Sequence, residues 1–191
     1  MAEHWFTRTR ALLGDLPCRR GCFRCCIGPF AITILDRAAL QCGLASLDEQ
    51  VRRDIEEKAD RQRSAMERAF PRLAELSFVD DWADEDINRL VEQFADVPCP
   101  ALGSDGACRV YAFRPITCRT MGIPVETGGV VEGACEVQTA VPLIRPSSLL
   151  RHEEQTLANQ EAADIAALRR KRPMNGEEML LPYGFLIAPS F

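Results

Sequence analysis

Nine cysteines stand in a chain of 191 residues, and eight of them are grouped. Cys18, Cys22, Cys25 and Cys26 fall within one short stretch, "CRRGCFRCC"; Cys99, Cys108 and Cys118 form a second group, and Cys135 follows it. Thiols in such density form disulfides, act as nucleophiles or chelate metal ions. The spacing favours chelation. Two residues between Cys22 and Cys25 give a turn that brings two sulfurs to one metal at about 2.3 Å each. In "VPCPALGSDGAC", Gly103, Ser104, Asp105 and Gly106 predict a turn that folds Cys108 back toward Cys99, the outline of a metal knuckle. In "FRPITCR", Pro115 predicts a helical turn whose exposed amide donors favour thiolate at Cys118. Consecutive side chains diverge, so the adjacent Cys25 and Cys26 suit two metals or a cluster better than one isolated ion. Eight thiols also exceed the four ligands of a single tetrahedral zinc, so either two sites lie close together or one cluster takes four and the rest have other work. Arg24, Arg109, Arg114 and Arg119 are near enough in sequence to offset part of a thiolate charge, with surface solvation as their ordinary alternative. Cys42, between Leu40 and Leu44, reads as a core residue rather than a ligand.

The remaining inventory removes competing chemistries. A formal net charge of −5 and a pI near 5.2 argue against a nucleic-acid partner, which calls for a basic face. The basic run at 169–172 reads as a helix end meeting the dipole. The N-terminus has no apolar stretch of the length an export signal requires, and no segment approaches the roughly 18 apolar residues of a membrane span. The expectation is a cytoplasmic protein, where thiols stay reduced and an odd cysteine count speaks against disulfide scaffolding. With only His4 and His152, a two-histidine iron site or a histidine-activated nucleophile has little to draw on. A nucleophilic Cys118, activated by Arg119 and a helix start, explains its neighbours less well than a ligand role. Gly128 and Gly129 read as a hairpin turn and lack the helix and lysine of a phosphate loop. The acidic run "DDWADED" lacks the glycine and distal glutamate of a calcium loop.

The elements that position the thiols are predominantly helical. Ser46 and Glu49 read as a capping box opening a long amphipathic helix, in which Val51, Ile55, Ala59, Gln62, Met66, Ala69 and Leu73 recur every three or four residues and Pro71 marks the end. A shorter helix is expected from about Asp84 to Ala95, acidic in its first turn, with Ile87, Leu90, Val91 and Phe94 as its stripe. A third runs from about Ser148 to Arg170, with Leu157, Ala162, Ile165 and Leu168 on its apolar side. Short β-like runs are "FAITI" at 30–34, "CRVYAF" at 108–113 and "GVVEG" at 129–133. "LLPYGFLIA" reads as an edge strand or a packed tail, since Pro182 and Gly184 interrupt it. The fold class expected is mainly α with a few short β-strands, a single small domain over 1–191 around an irregular cysteine-rich metal centre, with a helical insert at 46–97 and a C-terminal helix and tail at 146–191.

"GCFRCCIGPFAITILDRAAL" followed by "PCPALGSDGACRVYAFRPITCR" resembles the zinc- or iron-chelating cysteine-cluster family, also called the YkgJ or CxxCxxCC family. The likeness covers roughly residues 18–45 and 98–136. It implies metal ligation by Cys22, Cys25, Cys26, Cys99, Cys108 and Cys118, and by Cys18 and Cys135, although three residues separate Cys18 from Cys22 where the family name implies two. A related flagellin lysine methylase connects the module with methyl transfer or redox chemistry, and the resemblance itself supplies no reaction. The cofactor expected is therefore iron, an iron–sulfur cluster, or zinc. One function reading is a metal-binding protein with a redox or methyl-transfer-related role; the alternative is a structural zinc module that presents helices to a protein partner. A third, radical chemistry on S-adenosylmethionine, rests on the C-x3-C-x2-C spacing of Cys18, Cys22 and Cys25, and the short chain without strand–helix alternation speaks against it.

Overall fold

A computed structural model describes residues 7, 11, 22–133, 145, 147–171 and 175–186, and the chain is read from these. After the 3-10 turn Arg24–Cys26, strand β1 (Ala31–Thr33) runs directly into helix α1 (Ile34–Ala45). The junction is a capping box: the Thr33 hydroxyl accepts from the Asp36 amide at 3.2 Å, and the Asp36 carboxylate accepts from the Thr33 amide at 3.3 Å. The reciprocal pair satisfies two of the amides that a helix start leaves without partners.

The capping box expected at Ser46 and Glu49 is not there. Ser46 closes α1 instead, its hydroxyl donating to the Gly43 carbonyl at 2.7 Å, and the long helix α2 (Glu49–Ala69) starts after Asp48 with no side-chain cap. With the chain still turning out of α1 at Ser46, that side chain is used before α2 begins. Helix α2 otherwise follows its pattern. Ile55, Ala59 and Met66 are buried, and pairs such as Glu49–Arg53 and Asp54–Lys58 lie along its solvated faces, worth a few tenths of a kcal/mol each, or about that. It ends before Pro71, which opens the single turn α3 (Arg72–Glu75). Helix α4 (Asp84–Gln93) has Asp84, Glu85 and Asp86 in its first turn, where they meet the positive end of the dipole.

Two further predicted elements appear: a hairpin of β2 (Val125–Thr127) and β3 (Val130–Glu132), and helix α6 (Ser148–Lys171), preceded in the chain by the short helix α5 (Ile116–Thr120). Gly128 and Gly129 turn the hairpin with φ of 62° and 87°, the left-handed backbone that a two-residue turn of this kind demands. "CRVYAF" is not a strand. Cys108 makes one isolated bridge to Leu102, and Tyr111–Phe113 is a tight 3-10 turn. Its aromatic and β-branched composition suits a strand, but no neighbouring strand is there to pair with it.

The C-terminal segment is the most buried part of the fold. Strand β4 (Glu178–Leu180) pairs antiparallel with β1, Ile32 opposite Met179, and the turn α7 (Leu181–Gly184) packs against both α1 and α2. On its other side β4 accepts the Val79 amide at 2.9 Å and bridges Phe78; of the stretch read as an edge strand or a packed tail, the part that follows Leu180 is the buried turn Leu181–Gly184, a packed tail rather than a strand over the described residues. Leu180 is fully buried among Leu40, Leu44, Ile55, Met66 and Phe185 in one continuous core. Leu180→Ala is expected to destabilise the protein by about 2–5 kcal/mol through lost burial and the cavity left behind, read as a lower midpoint in urea with an unchanged slope. The architecture is mainly helical with short antiparallel strands, a single small domain as expected. Cys42 departs from its expected place: Leu40, Gly43 and Leu44 form the buried face of α1, and Cys42, two residues from each leucine, lies exposed on the opposite side.

Candidate metal centre

The first cysteine segment is stitched to the second by backbone. Residues Arg24–Cys26 form a 3-10 turn in which the Cys26 amide donates to the Phe23 carbonyl at 2.8 Å. The chain then runs antiparallel to residues 97–99: the Gly28 amide donates to the Val97 carbonyl at 2.8 Å, Ile27 bridges Pro98, and the Cys99 amide donates to the Cys26 carbonyl at 2.7 Å. Gly28 has φ of 84°, and a Cβ there would sit 3.3 Å from the Ala95 carbonyl oxygen, so the close approach of the two cysteine segments needs glycine. Gln62 on α2 adds a side-chain bond to the Pro98 carbonyl at 2.8 Å, one residue before Cys99.

The predicted knuckle closes through its own backbone. The Leu102 amide donates to the Cys99 carbonyl at 3.0 Å, Gly103 to Ala107 at 2.9 Å and Arg109 to Ala101 at 2.9 Å, and Asp105 holds both the Ala107 amide and the Arg109 guanidinium. Backbone amides also reach sulfur: Ala101 and Leu102 donate to Cys99, and Val110 donates to Cys108. Such N–H···S bonds steady a thiolate and are the supporting contacts a metal knuckle uses. Burial nevertheless prevails, pushing the Cys99 thiol up to about 12 and raising Cys108 as well.

Cys118 arrives on α5, whose first amide, at Ile116, donates to the Asp36 carboxylate on α1 at 3.3 Å. The helix start predicted to favour its thiolate does not prevail. Burial raises Cys118 well above the ordinary thiol range, and nearby Cys99, Cys25 and Cys108 add to the rise, while Arg114 opposes it. Arg114 lies with its guanidinium 3.5 Å from the centroid of the Tyr111 ring, and its charge favours the thiolates of Cys25, Cys108 and Cys118. Arg119 instead staples its own loop, donating to the carbonyls of Arg114 at 3.0 Å and Ala112 at 2.7 Å. Among the described residues, Arg114 is the predicted charge-offsetting arginine whose charge is seen to act on the sulfurs, while Arg109 pairs with Asp105 and Arg24 is exposed.

Cys25 and Cys26 do not diverge. The 3-10 turn brings their sulfurs into a hydrogen bond in which the Cys26 thiol donates, so Cys25 is held below the ordinary thiol value and Cys26 well above it. The pair shares a proton and titrates as a unit. Cys26 is further raised by burial and by Cys99 and Cys108. Cys25, Cys26, Cys99, Cys108 and Cys118 therefore lie within one another's electrostatic reach, drawn from three separate stretches of backbone. Cys22, half-buried, begins the first of these stretches, while Cys18 and Cys135 lie outside the described residues. The described cysteines are free thiols, without disulfides. The chain reaches Gly133, whose carbonyl accepts the Gly122 amide at 2.6 Å just beyond α5, two positions before Cys135. His152 is exposed on α6, and His4 lies outside the described residues.

A family model described as "CxxCxxCC: Putative zinc- or iron-chelating domain" matches residues 17–136. The chain belongs to this family. The matched span is continuous and takes in α2 to α4 together with the cysteine segments. No curated protein and no solved structure matches the chain. Among the described residues, no helix is long and apolar enough to cross a membrane.

The donors suit the zinc- or iron-chelating description in kind: soft sulfur, free thiols, amide donors on two of them and a guanidinium beside three. Among the described residues, no three His, Cys, Asp or Glu side chains already stand in a metal-holding arrangement. The two observations concern different degrees of freedom. Backbone bonds fix where each cysteine Cα lies, whereas each sulfur moves between staggered χ1 wells. The backbone lays the Cys25–Cys26 turn against Cys99 and folds Cys108 back toward it, and the donors are of the kind the description calls for. Sequence reading missed Asp36 as the residue that ties α5 down, although "TILD" at 33–36 carries the spacing of a capping box.

Proposed function

We propose that the chain is an iron–thiolate protein in which Cys22, Cys25, Cys26, Cys99, Cys108 and Cys118, joined by Cys18 and Cys135, hold iron as an iron–sulfur cluster or as closely spaced ions, in a redox role. The observation that carries this reading is the backbone pairing that lays the Cys25–Cys26 turn against Cys99, with Cys108 folded back toward Cys99 by its own turn, in a chain whose grouped thiols outnumber the ligands of one tetrahedral ion. Thiolate-bound iron supplies a one-electron couple whose potential depends on hydrogen bonds to sulfur, net charge and solvent exposure. The amides of Ala101, Leu102 and Val110 and the Arg114 charge are the chain's own means of setting those quantities. Free thiols suit a reducing, cytoplasmic setting.

The second reading, a structural zinc module presenting helices to a protein partner, is favoured by the closed knuckle at Cys99–Cys108. Anaerobic purification with metal analysis, acid-labile sulfide and a visible spectrum separates the two. Iron with broad visible absorption, with or without sulfide, is the expected result. Colourless protein with stoichiometric zinc would replace the first reading by the second, and protein that takes up neither metal would sink both.

A further inference from the structure

We infer that Asp36 is the positioning residue for Cys118, its carboxylate fixing the start of α5 against the start of α1 so that the Cys118 sulfur is presented to the other thiols. The inference rests on the metal-thiolate reading above and names a residue that carries no metal-binding chemistry of its own here. One carboxylate serves two helix starts separated by 80 positions in the chain, accepting the Thr33 amide at 3.3 Å on one oxygen and the Ile116 amide at 3.3 Å on the other. A cap for α1 alone needs only the first of these bonds and would sit at the surface, where a carboxylate is well hydrated. Asp36 is instead pulled inward, and burial raises its carboxyl above the usual range against the opposing pull of its hydrogen bonds and Arg119.

A second contact shows that α1 is the platform for the whole 111–118 segment. Phe113 lies directly on Gly43, where an added Cβ would stand 2.9 Å from its ring, and the 3-10 turn Tyr111–Phe113 packs along α1. Cys108 precedes this segment and Cys118 ends it. Phe113 thus sets the lateral position of the segment, while Asp36 holds the turn of α5 that carries Cys118. Five residues cannot hold a helix by propagation alone, since nucleation is costly and too few bonds follow to offset it. Its position depends on the contacts at its start.

The test loads the full chain with Co(II) under reducing conditions, because sulfur-to-cobalt charge-transfer absorption reports thiolate ligation, and measures affinity by competition with a chelator. Asp36→Ala is expected to lower the charge-transfer intensity and to weaken Co(II) binding roughly 10- to 100-fold, the usual cost of losing a residue that orients a ligand. Thr33→Ala, which removes the other half of the α1 cap and leaves the bond to Ile116, is expected to lower thermal stability while keeping the wild-type spectrum. In a Cys118→Ser background, Asp36→Ala is expected to change Co(II) affinity less than twofold. The isosteric Asp36→Asn, which preserves packing, is expected to weaken binding less than Asp36→Ala and more than Thr33→Ala. A wild-type spectrum and affinity in both Asp36 variants, or equal additional losses with and without Cys118, would overturn the inference while leaving the thiolate reading intact. Wild-type protein that shows no charge transfer with Co(II) would overturn the reading and the inference together.

Discussion

Cys26→Ser is expected to cost about a hundredfold in metal affinity, a roughly 3 kcal/mol loss, if the ~10–16 kcal/mol of a four-thiolate site divides about evenly among its ligands. Cys26 joins the first cysteine segment to the second. Its sulfur donates to Cys25, it is raised by Cys99 and Cys108, and its carbonyl receives the Cys99 amide at 2.7 Å. Serine keeps the backbone bond and the hydrogen-bonding ability, so the fold is preserved. The soft donor is lost, because a hydroxyl is a far weaker ligand for zinc or iron at neutral pH. Metal per chain after dialysis against a competing chelator is the measurement. Cys42→Ser is the control, since Cys42 is exposed on α1 away from the other cysteines in sequence, and it should retain wild-type metal content. Equal metal content in the two variants would remove Cys26 from the ligand set.

The helices α2 and α4 were legible because each buries one stripe, and a stripe prints itself on the sequence at intervals of three and four; α6 is a helix as expected, but of its expected stripe Ile165 is buried and Ala162 exposed. The hairpin was legible for a different reason: Gly128 and Gly129 supply a left-handed turn that few other residue pairs adopt. What escaped depends on contacts made far along the chain. "CRVYAF" has the composition of a strand, yet its amides go to the Cys108 sulfur, the Ala101 carbonyl and a tight turn. "LLPYGFLIA" left an edge strand and a packed tail open; the strand β4 ends at Leu180, and Pro182 and Gly184 belong to the turn α7, which packs against α1 and α2. Cys42 was misassigned because its neighbours in sequence are buried, whereas a helix places residues two apart on opposite faces.

The centre divides along the same line. Grouping and spacing of cysteines were enough to expect that residues 22–26 and 99–118 converge, and the backbone bond from Cys99 to Cys26 lays the first of these segments against the start of the second. Their electrostatics were not legible. The start of a helix suggested an easily ionised Cys118, but α5 has only one turn, its first amide is taken by Asp36, and burial dominates what remains. The adjacent pair was expected to point apart, and a 3-10 turn, unlike an extended strand, brings neighbouring sulfurs to the same side. Both outcomes depend on how deeply the thiols are packed, a quantity set by residues from every part of the chain.

Metal affinity is expected to rise by about ten-thousandfold per pH unit around neutrality, because Cys26, Cys99, Cys108 and Cys118 each enter the site carrying a proton that the metal displaces. The sign follows from the shifts. Burial pushes Cys99 up to about 12 and raises Cys108 and Cys118, so at neutral pH these thiols are protonated in the folded chain. Cys25 lies below the ordinary value and contributes less, since its thiolate is already favoured by the bond from Cys26. Titration calorimetry in two buffers of different ionisation enthalpy should count about four protons released per metal, and affinity independent of pH would refute the account. The same shifts act on folding when the metal has been stripped by a chelator. Below the ordinary thiol value of 9.0 Cys99 is protonated whether the chain is folded or unfolded and contributes no pH dependence. Between 9.0 and about 12 the unfolded thiol ionises and the buried one does not, so the unfolded state binds fewer protons and stability falls as pH rises. Metal reverses this: it binds the ionised thiols in the folded chain, so the loaded protein should keep its stability across the alkaline range in which the stripped protein unfolds.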